Sequence, residues 1–186
     1  MGVGIVSSLL FFCFPLLDAM DDFMLHSPYS PAACILVPFL LCVLYPTLRQ
    51  WSTARGDTTI IMATGAGVGL GHWVCYQYGY MQKADSFPPY DIIQPTWSWA
   101  GLVVLRMAIG IAILVTVRAS VRTVTFRASC YLAGYDWNDC NVHKTLAVEL
   151  PYKFVTYSII AFNMVFLVPM LFHTFGIERE TFFTEI

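Results

Sequence analysis

The sequence has few charged residues and lacks any basic run. Lys, Arg, Asp and Glu make up 12% of its 186 residues, whereas about 25% is usual for a soluble domain. Apolar residues make up 58%, and the mean hydropathy is +0.64. These values predict an integral membrane protein. The net charge of -2, with no cluster of Lys and Arg, gives no support to nucleic-acid binding.

The cysteines lack the spacings of disulfide frameworks and of common metal sites. None of the six belongs to a Cys-x-x-Cys pair, and four lie in apolar segments where they would pack as small hydrophobes. Cys130, Asp136, Asp139, Cys140 and His143 are close in sequence. The spacing of the two cysteines matches no usual zinc pattern. We therefore predict no metal site, with zinc in this segment as the less favoured alternative.

Long apolar stretches predict an all-α fold, a polytopic transmembrane bundle of about five spans. The predicted spans form a single membrane domain covering residues 1–186, at 2–17, 32–48, 60–80, 98–117 and 154–175. The first stretch is short for a span, so we expect it to be the truncated end of a longer helix. A signal peptide is the alternative, but no Lys or Arg precedes the apolar run. Residues 119–132 are predicted to form a separate amphipathic helix on the membrane surface.

Glycines in the third predicted span have a spacing typical of helix packing. Gly65, Gly67, Gly69 and Gly71 form two overlapping Gly-x-x-x-Gly pairs, which let helix backbones approach closely in lipid. A nucleotide-binding loop would need a different frame, because no Gly stands at the sixth position of a Gly-x-Gly-x-x-Gly pattern. We therefore interpret these glycines as a packing face.

A few polar residues at or within the predicted spans are candidates for a supporting role. Ionisable groups in a membrane are costly and default to functional hypotheses. The candidates are Arg55, Asp57, His72, Arg106 and Glu149. For His72 the alternative is a histidine hydrogen-bonded in a helix interface, and for Arg106 it is a structural ion pair. Asp57 or Thr58 is also predicted to cap the third span.

Two blocks carry a family resemblance. They read WSTARGDTTIIMATGAGVGLGHW from residue 51 and AVELPYKFVTYSIIAF from residue 147. These blocks closely resemble the C-terminal membrane half of the sphingosine-1-phosphate phosphatases, endoplasmic-reticulum members of the type 2 lipid phosphate phosphatase superfamily. The resemblance implies removal of phosphate from sphingosine 1-phosphate and its dihydro form, without a metal or other cofactor.

The resemblance also implies three catalytic motifs, and none of them occurs in this sequence. They are Lys-x6-Arg-Pro, Pro-Ser-Gly-His and Ser-Arg-x5-His-x3-Asp, whose residues hold the phosphoryl group, protonate the leaving alcohol and attack phosphorus. We therefore expect no catalytic residue in this chain, a catalytic portion upstream of Met1, and no phosphatase activity from the 186 residues alone. The implied partners are membrane lipids, sphingosine 1-phosphate through the full-length enzyme, and the helices of the catalytic bundle.

The sequence leaves two membrane orientations open, and it allows alternative functions. Seven of the ten Lys and Arg residues lie in 49–59 and 118–153, so the charge distribution predicts that these two connections face the cytosol. The resemblance implies the opposite orientation. A non-catalytic membrane protein that binds sphingolipid or pairs with the enzyme is the main alternative function. A transporter or channel fragment built around Arg106 and His72 is a third.

Overall fold

The structure is a computed structural model that describes residues 2–46, 53–81, 97–139 and 142–178, and most residues of these ranges are helical. The helices, in chain order, are α1 (Gly2–His26), α2 (Ser30–Leu44), α3 (Thr53–Gln77), α4 (Trp97–Ala133), α5 (Leu146–Phe162) and α6 (Val168–Thr174). A short 3-10 turn, Val142–Lys144, precedes α5, and a π-helical segment, Asn163–Leu167, joins α5 to α6 without a break.

Two helices in the described ranges are long and apolar enough to cross a membrane. One is α4, with 37 residues, and the other is the continuous Leu146–Thr174 segment, with 29 residues. A third span results if α1, which bends by 53°, crosses as one unit. In contrast, α2 has only 15 residues, and α3 is long enough but too polar by the same measure. The chain is therefore a helical membrane protein, and the predicted count of about five spans is not confirmed.

Two local predictions are wrong. The surface helix predicted at 119–132 is the last part of α4, because no Gly or Pro interrupts the chain between Gly110 and Gly134. The predicted cap at Asp57 or Thr58 is also absent, since α3 already begins at Thr53. The hydroxyl of Thr58 instead donates to the carbonyl oxygen of Ala54 within the helix, at 2.9 Å.

The centre of the bundle is a parallel pair, α3 and α5. Gly56 near the start of α3 lies against Glu149 and Lys153 near the start of α5. Further along, Gly71 lies against Val165. Because contacts advance in the same direction along both helices, both begin at the same end of the bundle.

Two antiparallel helices flank this pair. On one side, α2 places Cys34 beside Gly69 of α3, and its later residue Cys42 packs with the earlier α3 residue Ala63. On the other side, α4 runs against α5, and the hydroxyls of Thr125 and Thr156 are 2.8 Å apart. Helices α2 and α4 therefore end where α3 and α5 begin.

Within the described ranges, the core consists of two small clusters. The first joins α2, α3 and α5 through buried residues Cys42, Ala63, Ala66, Leu150 and Phe154. The second joins the end of α4 to the start of α5 through Cys130, Val142, Val148 and Tyr152. Much of the remaining apolar surface is exposed, including nearly all of the first part of α1. Such exposed apolar surface is expected for helices that face lipid.

Candidate functional site

The structure separates the predicted polar candidates into two regions. Arg55, Asp57 and Glu149 lie in the early turns of α3 and α5, at what we call the basic end of the bundle. Arg106 lies in the first third of α4, which runs in the opposite direction, and so it belongs to the other end. The five candidates therefore do not form one site.

The basic end is defined by Arg55, Arg122, Arg127 and Lys153, which lie where α3 and α5 begin and where α4 ends. The two basic connections that the charge distribution assigned to one side of the membrane adjoin this end. The helix directions agree with that pairing. Which side of the membrane the basic end faces stays a prediction.

A buried ion pair lies at the basic end. The ammonium Nζ of Lys153 donates to Oε1 of Glu149 at 2.7 Å, and the two side chains are only 19% and 8% exposed. The pair has the i,i+4 spacing that brings side chains together on one helix face. Gly56 of α3 makes room for it, because a Cβ there would lie 2.2 Å from Nζ. The carboxylate of Glu149 is therefore paired with the ammonium group of Lys153.

Arg55 and Asp57 flank Gly56 but do not join this pair. Arg55 is half-buried and Asp57 is exposed. Among the described residues, neither side chain forms an ion pair. Their place in the first turns of α3 puts them at the rim of the bundle.

Three of the four predicted packing glycines are points of close helix approach. A Cβ on Gly67 would lie 2.2 Å from the carbonyl oxygen of Ser158, and one on Gly71 would lie 2.9 Å from Val165. Gly69 points elsewhere, to Met24 and Cys34 of α1 and α2. A Cβ on Gly65 would meet nothing within 4 Å. The Gly67/Gly71 pair thus forms the contact with α5.

His72 lies on the exposed surface of α3 rather than in this contact. Within the described ranges it forms no hydrogen bond or ion pair. Other polar groups join α3 to its neighbours, to α5 in one case and to the turn between α1 and α2 in the other, and the sequence analysis missed them. The hydroxyl of Ser158 donates to the carbonyl oxygen of Ala63 at 3.0 Å, and the indole N-H of Trp73 donates to that of Ser27 at 3.1 Å. Nothing in the sequence signals these pairings, because their partners are far apart along the chain.

Arg106 holds the segment that follows α6. This helix ends with Gly176 in a left-handed conformation, φ 65°, and the N-H of Ile177 donates back to the carbonyl oxygen of Phe172 at 3.0 Å. The turn brings the chain back towards α4. There, the guanidinium of Arg106 donates from Nε to the carbonyl oxygen of Ile177 and from a terminal nitrogen to that of Glu178, the second at 2.6 Å.

The carboxylate of Glu178 has a different partner. Its Oε2 lies 2.5 Å from Nδ1 of His173, on the exposed surface of α6. The interactions of Arg106 in the described ranges are therefore with neutral backbone oxygens, and the structural ion pair weighed from the sequence is not found there.

An apolar cavity of about 400 Å³ lies beside Arg106, between α4 and α6. Its walls are aliphatic and aromatic, with Val103, Met107 and Gly110 on α4 facing Val168 and Phe172 on α6. Arg106 and Glu178 are its charged lining residues. Apolar walls with a few convergent polar groups are typical of small-molecule sites.

The described residues contain no group of three or more His, Cys, Asp or Glu placed to hold a metal ion. In the segment weighed as a zinc site, His143 stacks on Phe126 with ring centroids 4.1 Å apart. Cys140 lies outside the described residues. The ring of His143 therefore packs against Phe126.

Known proteins similar to this chain are sphingosine-1-phosphate phosphatases. It is 33% identical to rat sphingosine-1-phosphate phosphatase 1 over 172 residues, which are 91% of this chain and 40% of the relative. It is 32% identical to human sphingosine-1-phosphate phosphatase 2 over 183 residues, covering 95% and 45%. For mouse sphingosine-1-phosphate phosphatase 2 the identity is 33% over 178 residues, covering 95% and 50%.

These matches confirm the resemblance predicted from the sequence. They also show that the chain spans at most half the length of these three curated relatives. No protein-family model matches the chain, and no solved structure does.

Proposed function

We propose that this chain is the C-terminal membrane portion of a lipid phosphatase that removes phosphate from sphingosine 1-phosphate and dihydrosphingosine 1-phosphate. In this proposal the helices described above support the catalytic bundle, and the protein resides in the membrane of the endoplasmic reticulum. The 186 residues alone have no hydrolytic activity.

The observation that carries the proposal is the extent of the similarity. It covers 91 to 95% of this chain, so it includes α3, α5 and the long helix α4 between them rather than one short block. A match of this extent supports a shared membrane architecture.

The state of the polar candidates supports the inactivity of the isolated chain. Phosphoryl transfer needs cationic groups that clamp the phosphate oxygens and a nucleophile within reach of phosphorus. Glu149 is bound to Lys153, and Arg106 lies at the opposite end of the bundle. The three motifs implied by the resemblance are absent from the sequence.

A chimera tests the proposal directly. The aligned segment of mouse sphingosine-1-phosphate phosphatase 2 is replaced by this chain, and phosphate release from sphingosine 1-phosphate is measured in membranes. We expect the chimera to hydrolyse the lipid and this chain alone to be inactive. The unmodified mouse enzyme is the positive control, and detergent gel filtration checks that each protein is folded.

Two results would contradict the proposal. Hydrolysis by the isolated chain would show that the 186 residues hold a complete active site. A folded but inactive chimera would favour the second candidate, a non-catalytic protein that binds sphingolipid or pairs with the enzyme. The apolar cavity beside Arg106 is the observation that favours this second candidate.

A further inference from the structure

One side of α3 lies at membrane depth and is not covered by the described residues. Its exposed residues, which we call the free face, are Ile61, Thr64, Gly65 and His72. Spacings of four and seven residues place Ile61, Gly65 and His72 on the same side of the helix. Gly71, next to His72, lies against Val165 of the second spanning segment. That level is roughly 8 Å from the midpoint of the segment, inside a hydrocarbon core of about 30 Å.

The free face is too polar to lie against lipid. Unlike α4, α3 is long enough for a span but not apolar enough. The hydroxyl of Thr64 is satisfied within the helix, where it donates to the carbonyl oxygen of Ile60 at 2.8 Å. The imidazole of His72 has no ion-pair partner in the described ranges. An ionisable side chain at this depth is costly unless it faces a partner or a wet cavity. His72 therefore indicates that another protein segment covers this side of α3.

A groove beside the free face has space for such a segment. An apolar hollow of about 430 Å³ lies between α1, α2 and α3, with Gly65 and Ala66 of α3 among its lining residues. Phe23 of α1 and Val37 of α2 line its sides. An added Cβ on Gly65 would meet nothing within 4 Å. Because small residues let the backbones of membrane helices approach closely, Gly65 offers a point of close approach that the described helices leave open.

The matched relatives contain enough additional chain to supply a helix for this groove. At least half the length of each of the three relatives compared above lies outside the matched part. A membrane span needs about 20 residues. If the chain belongs to a lipid phosphatase, that additional part holds the catalytic residues, and the two parts must meet in one membrane bundle.

We propose that the free face of α3 binds a transmembrane helix of the catalytic portion. The inference rests on the proposed function, because it takes the partner from the same phosphatase. The partner helix is apolar, has a small residue opposite Gly65 and carries a hydrogen-bonding side chain opposite His72, two turns further along. Helix α3 then has packing glycines on two sides, with Gly67 and Gly71 for α5 and Gly65 for the partner.

Photocrosslinking in the chimera with mouse sphingosine-1-phosphate phosphatase 2 tests this contact. A protease site is placed before this chain, and benzoylphenylalanine replaces Ile61, which is 70% exposed. After irradiation in membranes and cleavage, we expect the two portions to stay joined on a denaturing gel, with the crosslink in a transmembrane helix of the mouse portion. The matched control places the same group at Val104, which is 66% exposed on the apolar helix α4. There the portions should separate.

Two variants separate the roles of space and hydrogen bonding. Gly65→Leu fills the groove and should remove most of the Ile61 crosslink, whereas Gly101→Leu, at another open position, should leave it unchanged. His72→Leu should lower the retention of one cleaved portion on the other in detergent about threefold, the average effect of an interhelical hydrogen bond in a membrane. His72→Gln keeps a hydrogen-bonding side chain and should restore most of the retention.

Several results would overturn the proposal. They are a crosslink between two copies of this chain, a crosslink to lipid alone, equal crosslinking from Ile61 and Val104, and an unchanged Ile61 crosslink in folded Gly65→Leu. Hydrolysis is measured separately, so the two proposals fail separately. An active chimera without the Ile61 crosslink refutes the contact alone, and a folded, inactive chimera with the crosslink refutes the proposed function alone.

Discussion

The contact between α3 and α5 differs sharply from that between α4 and α6. The α3–α5 contact is closed, with Gly67 and Gly71 so near their neighbours that a methyl group would clash. The α4–α6 contact also has a glycine, Gly110, but there an added Cβ only reaches ordinary contact distance and a cavity remains. Glycine therefore serves two purposes in one bundle: it brings backbones together in one place and leaves space in another.

The two contacts also treat charge differently. At the start of the α3–α5 contact, Lys153 and Glu149 neutralise each other in a largely buried position. Beside the α4–α6 cavity, Arg106 has only backbone oxygens as described acceptors. We infer that the first contact holds the fold together and that the second is packed less tightly. The four predictions that follow test this difference, from the largest expected effect to the smallest.

Removal of Lys153 should have the largest effect. Lys153→Met leaves Glu149 buried without a counter-charge, which should lower the free energy of unfolding by about 3 kcal/mol. Unfolding can be followed in mixed micelles with a thiol-reactive dye, since Cys34, Cys42 and Cys75 are buried. A background with Cys13→Ser and Cys140→Ser removes the thiol that is exposed among the described residues and the thiol that lies outside them.

The matching control removes both charges. Glu149→Gln combined with Lys153→Met should recover most of the lost stability, because no isolated charge remains buried. If the single variant is as stable as the parent chain, the pair is not important for the fold.

Gly67 should be next in order. Gly67→Ala places a methyl group 2.2 Å from the Ser158 carbonyl oxygen and 2.8 Å from the Ala161 Cβ, so the helices must separate. We expect a loss of about 2 kcal/mol in the same dye assay, as for other overpacked sites. Gly65→Ala on the same helix has open space around it and should cost nothing. Equal effects at the two positions would refute the close contact.

Arg106 should affect one segment rather than the whole fold. Arg106→Gln weakens the two hydrogen bonds to Ile177 and Glu178, each worth about 1.5 kcal/mol for a charged donor. We expect faster proteolysis after α6 with little change in global unfolding. Arg118→Gln, on the exposed surface of α4, should change neither quantity. Unchanged proteolysis in the Arg106 variant would show that this clamp is unimportant.

Gly110→Ala should have the smallest effect, because alanine is a better helix former than glycine and this gain offsets any crowding. Its methyl group fits beside Phe172 and Val168, so we expect a change within about 0.5 kcal/mol, or a small gain. The comparison with Gly67→Ala is direct, because the same substitution is made at both contacts. A loss similar to that at Gly67 would mean that the α4–α6 contact is as tight as the α3–α5 contact.

Composition and spacing predicted the class of the fold and part of its packing. Hydropathy indicated helices in a membrane, and the Gly-x-x-x-Gly spacing indicated a close helix contact, which Gly67 and Gly71 form. Spacing alone did not distinguish this pair from Gly65, which has open space around it, because the facing helix decides which glycines are used. The prediction of a surface helix overlooked the absence of Gly and Pro between Gly110 and Gly134, which lets α4 continue through these residues.

The candidate site was predicted less well than the fold. Arg106 was identified as costly in a membrane, but its partners lie more than 70 residues further along the chain and are backbone oxygens. No residue type marks such acceptors in a sequence. Glu149 was also identified, whereas its partner Lys153 was missed although the i,i+4 spacing was visible. The cavity depends on how two helices are spaced, which is a property of the assembled bundle.

The length of α4 has a mechanical consequence. Its 37 residues rise about 55 Å, which exceeds a hydrocarbon core of about 30 Å by roughly 25 Å. The projecting part is braced against α5 by the Thr125–Thr156 hydrogen bond and by the cluster around Cys130 and Tyr152. The end of α4 and the start of α5 together form a rigid projection. A segment attached to the end of this projection is held at a distance from the bilayer that the length of the helices sets.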